Sequence, residues 1–304
     1  MQCFIRQRAS SYSVNRQTEL KDSHCHFAGF KEWIGSLGVK ASWLSAFALA
    51  VAGGCRSSAN GKIRLQGAGA TFPAPFYQRL VVVYQGMHPD VLIDYQSFGS
   101  GGGIQAITAQ TVQFCGSDAP LSDQELQALG GKAAIVEFPS CAGGVVPIYN
   151  LPNIKGTLKF TGKLLADIYM GKVARWNDSA IAKINPDIHL PDVPITPVWR
   201  TDGSGTTFIY SNYLATQSDE FKTTIGAAKQ VQWPSGQGGK GNEGVTAVVQ
   251  QTVGGVGYVE QSYADNNHLL YGMVQNKDGQ FVKASADTVS AASAGPAANL
   301  HGDV

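Results

Sequence analysis

The sequence predicts an α/β protein folded as two lobes, and three observations carry that expectation. Strand-like apolar stretches alternate with helical ones from residue 63 to about residue 285. Four strand-to-helix junctions, at 67–72, 99–103, 116–122 and 202–207, combine glycine with Ser or Thr. Midway, "AAIVEFPSCAGGVVPIYN" sets two apolar stretches on either side of Gly143 and Gly144, a crossover from one lobe into the next. With 304 residues and 43% apolar content, the chain can bury two cores of ordinary size.

Residues 1–54 stand apart as an N-terminal extension plus signal. Residues 1–38 are polar and patternless, and "SHCHF" (His24, Cys25, His26) lacks the further ligands a metal site needs. From 39 to 54, Lys40 precedes an apolar run from Trp43 to Ala52, and Gly53 and Gly54 lead to Cys55. That order is a charged n-region, a short h-region and a small-residue cleavage site, read as a secretory signal. The run is too short to span a bilayer, and a buried core helix is the competing reading. Cys55 after two glycines resembles a bacterial lipobox and is the candidate for lipidation, although Ala52 stands where leucine is usual. A signal normally begins near the initiator methionine, so a start at Val39 is expected, leaving residues 1–38 outside the product. Residues 55–62 are a polar linker. After export Cys115 and Cys141 remain, either as a disulfide or as two buried thiols.

The elements then follow in order. "IRLQGAGATF" is a strand entering a glycine turn, and "PAPFYQRLVVVYQGMHP" is a helix whose Pro73 and Pro75 sit in the first turn, where a missing N–H costs little. "VLIDYQSFGSGGG" repeats strand and turn, and "IQAITAQTV" is its helix. In "VQFCGSDAPLSDQELQAL", Ser122 and Glu125 are spaced as a capping box. "TGKLLADIYMGKVARWND" reads as one amphipathic helix through Leu164, Leu165, Ile168 and Tyr169. "ITPVWRTDGSGTTFIYSNYL" gives strand, turn and helix once more, and "EGVTAVVQQTVGGVGYVE" a helix stopped by Gly254 and Gly255 before a strand.

The four junctions share one chemistry. A helix start presents unpaired N–H groups and partial positive charge, so each is an anion cradle in waiting. Glycine lets the backbone approach a ligand, and Ser or Thr adds a hydroxyl donor. Arg200 beside the fourth loop adds a cation with a planar fork. In open α/β sheets such loops gather at the carboxyl ends of the strands. Nucleotide and hydrolase templates fail on named residues. The nearest P-loop, "PSGQGGKGN", has Pro234 for its first glycine and Gly241 after Lys240; "GAGATF" ends in Phe72; Ser100 and Ser204 have Phe98 and Asp202 where a nucleophile elbow needs glycine. His88, His189 and His268 are scattered without ligand spacing, so neither metal nor cofactor is expected. Charged residues make up 15% with a net charge of +1, which gives no surface for nucleic acid.

"GAGATFPAPFY", "SFGSGGG", "GSDAPLSD", "DIYMGKVARWND", "RTDGSGTTF" and "GGKGNEGV…GYVE" resemble, in order and interval, the phosphate-binding proteins of Pst-type ABC importers. The resemblance covers about 63 to 285. It implies a two-lobed periplasmic-binding-protein-like fold of type II with the ligand cleft between lobes. Lobe I would be 63–142, lobe II 143–284, and 285–304 a tail beginning a return to lobe I. It also implies an extracytoplasmic receptor, periplasmic or held on the outer face of the membrane through Cys55. Such a receptor binds inorganic phosphate as a monomer and hands it to permease subunits without catalysis.

Carried over residue by residue, the phosphate ligands are Thr71, Phe72, Ser100, Asp118, Arg200, Ser204, Gly205 and Thr206, with Asp202 orienting Arg200. Gly101 departs from the pattern, standing where a second serine is common. Asp118 is the residue expected to accept the ligand's proton. Phosphate carries one at neutral pH and sulfate does not, so a buried carboxylate there rejects sulfate. Family members continue well past residue 304, so lobe I is expected to lack strands and helices and to expose an edge and an apolar face. The competing functions are a receptor for another tetrahedral oxyanion, a phosphatase-like hydrolase, and a signalling or adhesive protein that keeps the fold.

Overall fold

The computed structural model describes residues 62–294 together with the backbone of residues 2–8. The signal at 39–54, Cys55, the His24–His26 cluster, nearly all of the linker and the end of the tail lie outside the described residues.

The first sheet is built from β1 (Gln2–Arg8), β2 (Ile63–Gly69), β3 (Val91–Ser97), β4 (Phe114–Ser117) and β5 (Ile135–Ala142), in the order β3-β2-β4-β1-β5. Strands β2 and β4 run parallel, with Gly69 opposite Gly116. Helix α1 (Ala74–Met87), α2 (Ser100–Thr108) and α3 (Asp123–Ala128) connect them. Proline at the start of α1 supplies a helical φ where no N–H is needed. Ser122 and Glu125 close the capping box of α3, with Ser122 N–H donating to Glu125 at 2.8 Å. Helix α2 begins four residues before the apolar stretch "IQAITAQTV", because the Gly-Ser run itself winds into its first turn.

Strand β1 differs from the sequence reading, which set residues 1–38 aside. It runs antiparallel to both β4 and β5, with Phe4 opposite Ser117 on one side and Ile5 opposite Phe138 on the other. Two neighbouring strand edges with unpaired N–H and C=O groups form a slot that an extended segment satisfies. Nothing in the local pattern of "QCFIRQR" announces that. The same strand separates Cys115 on β4 from Cys141 on β5. Two strand spacings are roughly 9–10 Å, which puts the two cysteines outside disulfide reach of one another.

The second lobe follows the crossover at Gly143–Gly144. Its main sheet is β11-β6-β10-β8-β9, formed by β6 (Val145–Tyr149), β8 (Thr196–Arg200), β9 (Gln237–Gly239), β10 (Gly255–Glu260) and β11 (Leu270–Tyr271). A small third sheet joins β7 (Lys159–Phe160), β12 (Met273–Gln275) and β13 (Phe281–Val282). Helices α4 (Gly162–Tyr169), α5 (Ser179–Ala182), α6 (Gly205–Gln217), α7 (Asp219–Thr224), α8 (Gly241–Gln251), α9 (Gln261–Asn266) and α10 (Ala286–Ser293) complete it. The long helix expected over 161–178 stops at Tyr169, since Gly171 takes a φ of 77° that a helix cannot accommodate. Parallel pairing of β10 with β8 and β8 with β9 brings three carboxyl ends to one side.

Burial is unequal between the lobes. The second buries Tyr149, Phe160, Trp176, Tyr169 and Phe221 in one cluster, each such ring contributing roughly 2–3 kcal/mol by area. The first has a smaller cluster of Ile104, Ile107, Cys115, Leu121, Leu129 and Ile135. On α1, Phe76, Leu80, Val82, Val83 and Met87 face solvent. Among the described residues no helix is long and apolar enough to cross a membrane.

Candidate functional site

The parallel strands of both sheets deliver their carboxyl ends to one place. Thr71 and Phe72 follow β2, Ser100 follows β3, Asp118 follows β4, and Arg200 is the last residue of β8. All five are buried, as are Ser204, Gly205 and Thr206 at the start of α6. The eight residues expected to bind the ligand thus share one locality rather than separate surfaces.

Contacts across the two lobes define it. Ser100 Oγ accepts the Gly205 N–H at 3.0 Å and the Asp118 N–H at 3.4 Å. Thr206 Oγ1 donates to Asp118 Oδ2 at 3.2 Å. Backbone completes the join, with Gly101 N–H donating to Gly203 O at 2.8 Å. Two glycines permit this closeness. A Cβ on Gly205 would stand 2.6 Å from Ser100 Oγ and 2.7 Å from Asp118 Cβ. Gly99, at a φ of 85°, would place a Cβ 2.1 Å from Asp202 Oδ2.

Arg200 is held as a fork. Its Nε and Nη2 donate to Asp202 Oδ1 and Oδ2 at 2.8 and 2.5 Å, while Nη1 faces Thr206 Oγ1 at 3.5 Å. Asp202 Oδ1 also accepts the Gly241 N–H at 2.9 Å. Burial raises the Asp202 carboxyl, but the hydrogen bonds and charge of Arg200 outweigh it and hold the group below its ordinary range. Ser204 Oγ caps α6 by accepting the Thr207 N–H at 3.0 Å. Underneath, Tyr258 pairs with Thr207 Oγ1 at 2.7 Å, and burial pushes its phenol up to about 12.

Several further residues join the site without a local motif to mark them. Asn242, fully buried in the first turn of α8, donates from Nδ2 to Thr71 Oγ1 at 2.7 Å. Tyr263 donates to Thr71 O at 2.6 Å. Lys229 spans from the second lobe to Glu125 of the first at 2.6 and 2.7 Å. Glu260 sits at the crossover, and its carboxyl is pushed up to about 7 by burial, with Asp265 and Asp118 adding to the rise and hydrogen bonds from Ser262 opposing it. Asn242 lies in "GGKGNEGV", a stretch that carried resemblance without a function attached. It stands three residues after the end of β9, and nothing local marks its amide as buried.

The arrangement can surround a small anion with N–H and O–H donors and one guanidinium, and it holds a carboxylate that suits an anion bearing a proton. Two α/β lobes joined at a glycine crossover, with such a site where their strand ends meet, define a two-lobed solute-binding protein. The chain belongs to the PBP superfamily, whose domain description matches residues 56–303, and within it to the family of phosphate-binding proteins. It is 50% identical over 231 residues to Phosphate-binding protein PstS of Xylella fastidiosa, covering 76% of this chain and 62% of that one. It is 46% identical over 229 residues to the Haemophilus influenzae protein of the same name, covering 75% and 67%. In fold it is similar to the high affinity periplasmic phosphate-binding protein PfluDING, with a TM-score of 0.60, 22% identity, and 76% and 67% of the two chains covered. The chain therefore spans about three fifths of the Xylella relative's length, 62%.

Proposed function

We propose that this chain is an extracytoplasmic receptor that binds inorganic phosphate between its lobes and passes it to the permease of an ABC importer. The observation that carries the reading is the meeting of Thr71, Ser100 and Asp118 from the first lobe with Arg200, Gly205 and Thr206 from the second, all buried. The names and phosphate-bound state of its relatives support the same ligand. Arg200 supplies charge and direction, Asp202 fixes its plane, and the hydroxyls and N–H groups take up the remaining oxygens. Phe72 contributes its backbone N–H. Contacts from both lobes favour closure on the ligand. The protein acts as a monomer and as a carrier rather than a catalyst. Export through the segment at 39–54, with or without a lipid on Cys55, puts it where it meets its permease; cleavage before Cys55 removes Gln2–Arg8 and leaves the slot between β4 and β5 open.

Asp118 is the selectivity element. A buried carboxylate accepts a proton from hydrogen phosphate, whereas bare sulfate offers none, at a cost of roughly 1–3 kcal/mol or more. Competition calorimetry of the parent and Asp118→Asn with phosphate and sulfate tests this. Preference for phosphate should shrink in the variant; unchanged selectivity refutes the role. Hydrolysis of a chromogenic phosphate ester by the parent would instead favour a phosphatase.

A further inference from the structure

One of the donors in that site is set from the opposite lobe. Thr71 belongs to the first lobe, yet its Oγ1 accepts two hydrogen bonds from Asn242 of the second, from the backbone N–H at 3.2 Å and from Nδ2 at 2.7 Å. The orientation of the amide is fixed in turn, because Asn242 Oδ1 accepts the Glu260 N–H at 3.2 Å. The acceptor end therefore faces Glu260 and the donor end faces Thr71. Tyr263 secures the Thr71 carbonyl from the same lobe at 2.6 Å.

A hydroxyl oxygen has two lone pairs and one proton. Both lone pairs of Thr71 are committed to Asn242, and no hydrogen bond donated by this hydroxyl is found among the described residues. Donation is the only role left to it. A threonine without Asn242 is free to serve a ligand as donor or as acceptor; with Asn242 it can serve only a ligand oxygen that brings a lone pair.

We propose that Asn242 is a positioning and selectivity residue which locks Thr71 as an obligate donor, and does so only when the two lobes meet. This rests on the phosphate-receptor reading and deepens it. Asp118 asks the ligand for a proton at one oxygen, and Thr71 held by Asn242 refuses a proton at another. Together they read the protonation pattern of the anion rather than its charge alone. Part of the affinity is thereby created by closure, since the donor is oriented by a residue outside the lobe that carries it.

The test is a double-mutant cycle by phosphate calorimetry on the full chain, with thermal melts alongside. Thr71→Val and Asn242→Leu should each weaken binding roughly tenfold to a hundredfold, and the double variant should lose no more than the weaker single. Additive losses, or parental affinity in Asn242→Leu, overturn the proposal. Because leucine also strips Glu260 N–H of its acceptor, Asn242→Asp is the second variant, keeping size and that acceptor. Its carboxylate would draw the Thr71 proton toward itself, so its loss must be larger with Thr71 present than in the Thr71→Val background. Equal losses in the two backgrounds overturn the proposal. A cooperatively melting parent that takes up no phosphate overturns the receptor reading and this inference with it. A parent that binds while the Asn242 variants bind equally well overturns this inference alone.

Discussion

The carboxylate of Asp202 meets Arg200 edge to edge, Nε on one oxygen at 2.8 Å and Nη2 on the other at 2.5 Å. The two residues are neighbours but one in the chain, yet the pair is not a turn ornament. The arginine side chain is almost wholly shielded from water, and the same carboxylate anchors the first N–H of α8 at Gly241. The guanidinium plane is thereby set before any ligand arrives, so less rotamer entropy is lost on binding.

Asp202→Asn should therefore weaken phosphate binding about tenfold, since one of the two charge-assisted bonds becomes a clash of donors. The ligand-free chain should also melt earlier, because a buried cation has lost its counter-charge. Calorimetry and a thermal melt read the two effects separately. Parental values in both would show that the pair does not position the arginine.

Gly205→Ala should separate binding from stability. Its added Cβ would collide with Ser100 Oγ and Asp118 Cβ at 2.6 and 2.7 Å, holding the lobes apart. Each charge-assisted hydrogen bond lost from one lobe costs roughly 1.5–3 kcal/mol, about tenfold to a hundredfold in phosphate affinity. Gly205 is the first residue of α6, outside the helix interior, and the clash lies between the lobes rather than within either core, so the ligand-free melting point should change little. Undiminished phosphate affinity would mean that the lobes need not approach this closely.

Glu260 gives a pH signature. Its carboxyl is raised from 4.5 to about 7, chiefly by burial. Between those values the folded chain binds more protons than the unfolded one, so stability falls as pH rises through that window. Glu260→Gln should flatten that decline and stabilise the chain above pH 7, while its Oε1 still caps α9 by accepting the Ser262 N–H. Melting points followed across the window for parent and variant decide it; parallel curves would contradict the assignment.

Lys229→Met should loosen the join between lobes. Glu125 is pushed up by burial, but Lys229 and Ser122 bring it below its ordinary value. The bridge therefore persists on mild acidification and is lost only as pH falls through that lowered value. Partly exposed pairs contribute roughly 0.2–1 kcal/mol, so phosphate affinity should drop by a factor of a few. The parent's dependence on salt should shrink with it. Equal salt dependence in both proteins would remove the bridge from the account.

Much of this was legible in the sequence because it is local. The capping box of Ser122 and Glu125, the proline-led start of α1 and the glycine crossover at Gly143–Gly144 each follow from residues within a few positions of one another. Helix boundaries were less legible. The end of α4 at Tyr169 depended on Gly171 adopting a positive φ, while apolar spacing continued beyond it. Thr71 and Arg200 could be nominated from their loops, but Asn242 could not. Its meaning is the hydrogen bond to Thr71, 171 residues away in the chain.

Short stretches of the chain suffice for the alternation of strands and helices, the four donor-rich turns and the likeness to a family, since backbone preference and side-chain chemistry reside in them. That Gln2–Arg8 fills the slot between β4 and β5, that Lys229 reaches Glu125, and that the Thr71 hydroxyl accepts from Asn242 became visible only in the packed chain. Those pairings arise where distant segments must satisfy each other's hydrogen bonds away from water, and no local pattern records which partner will be found.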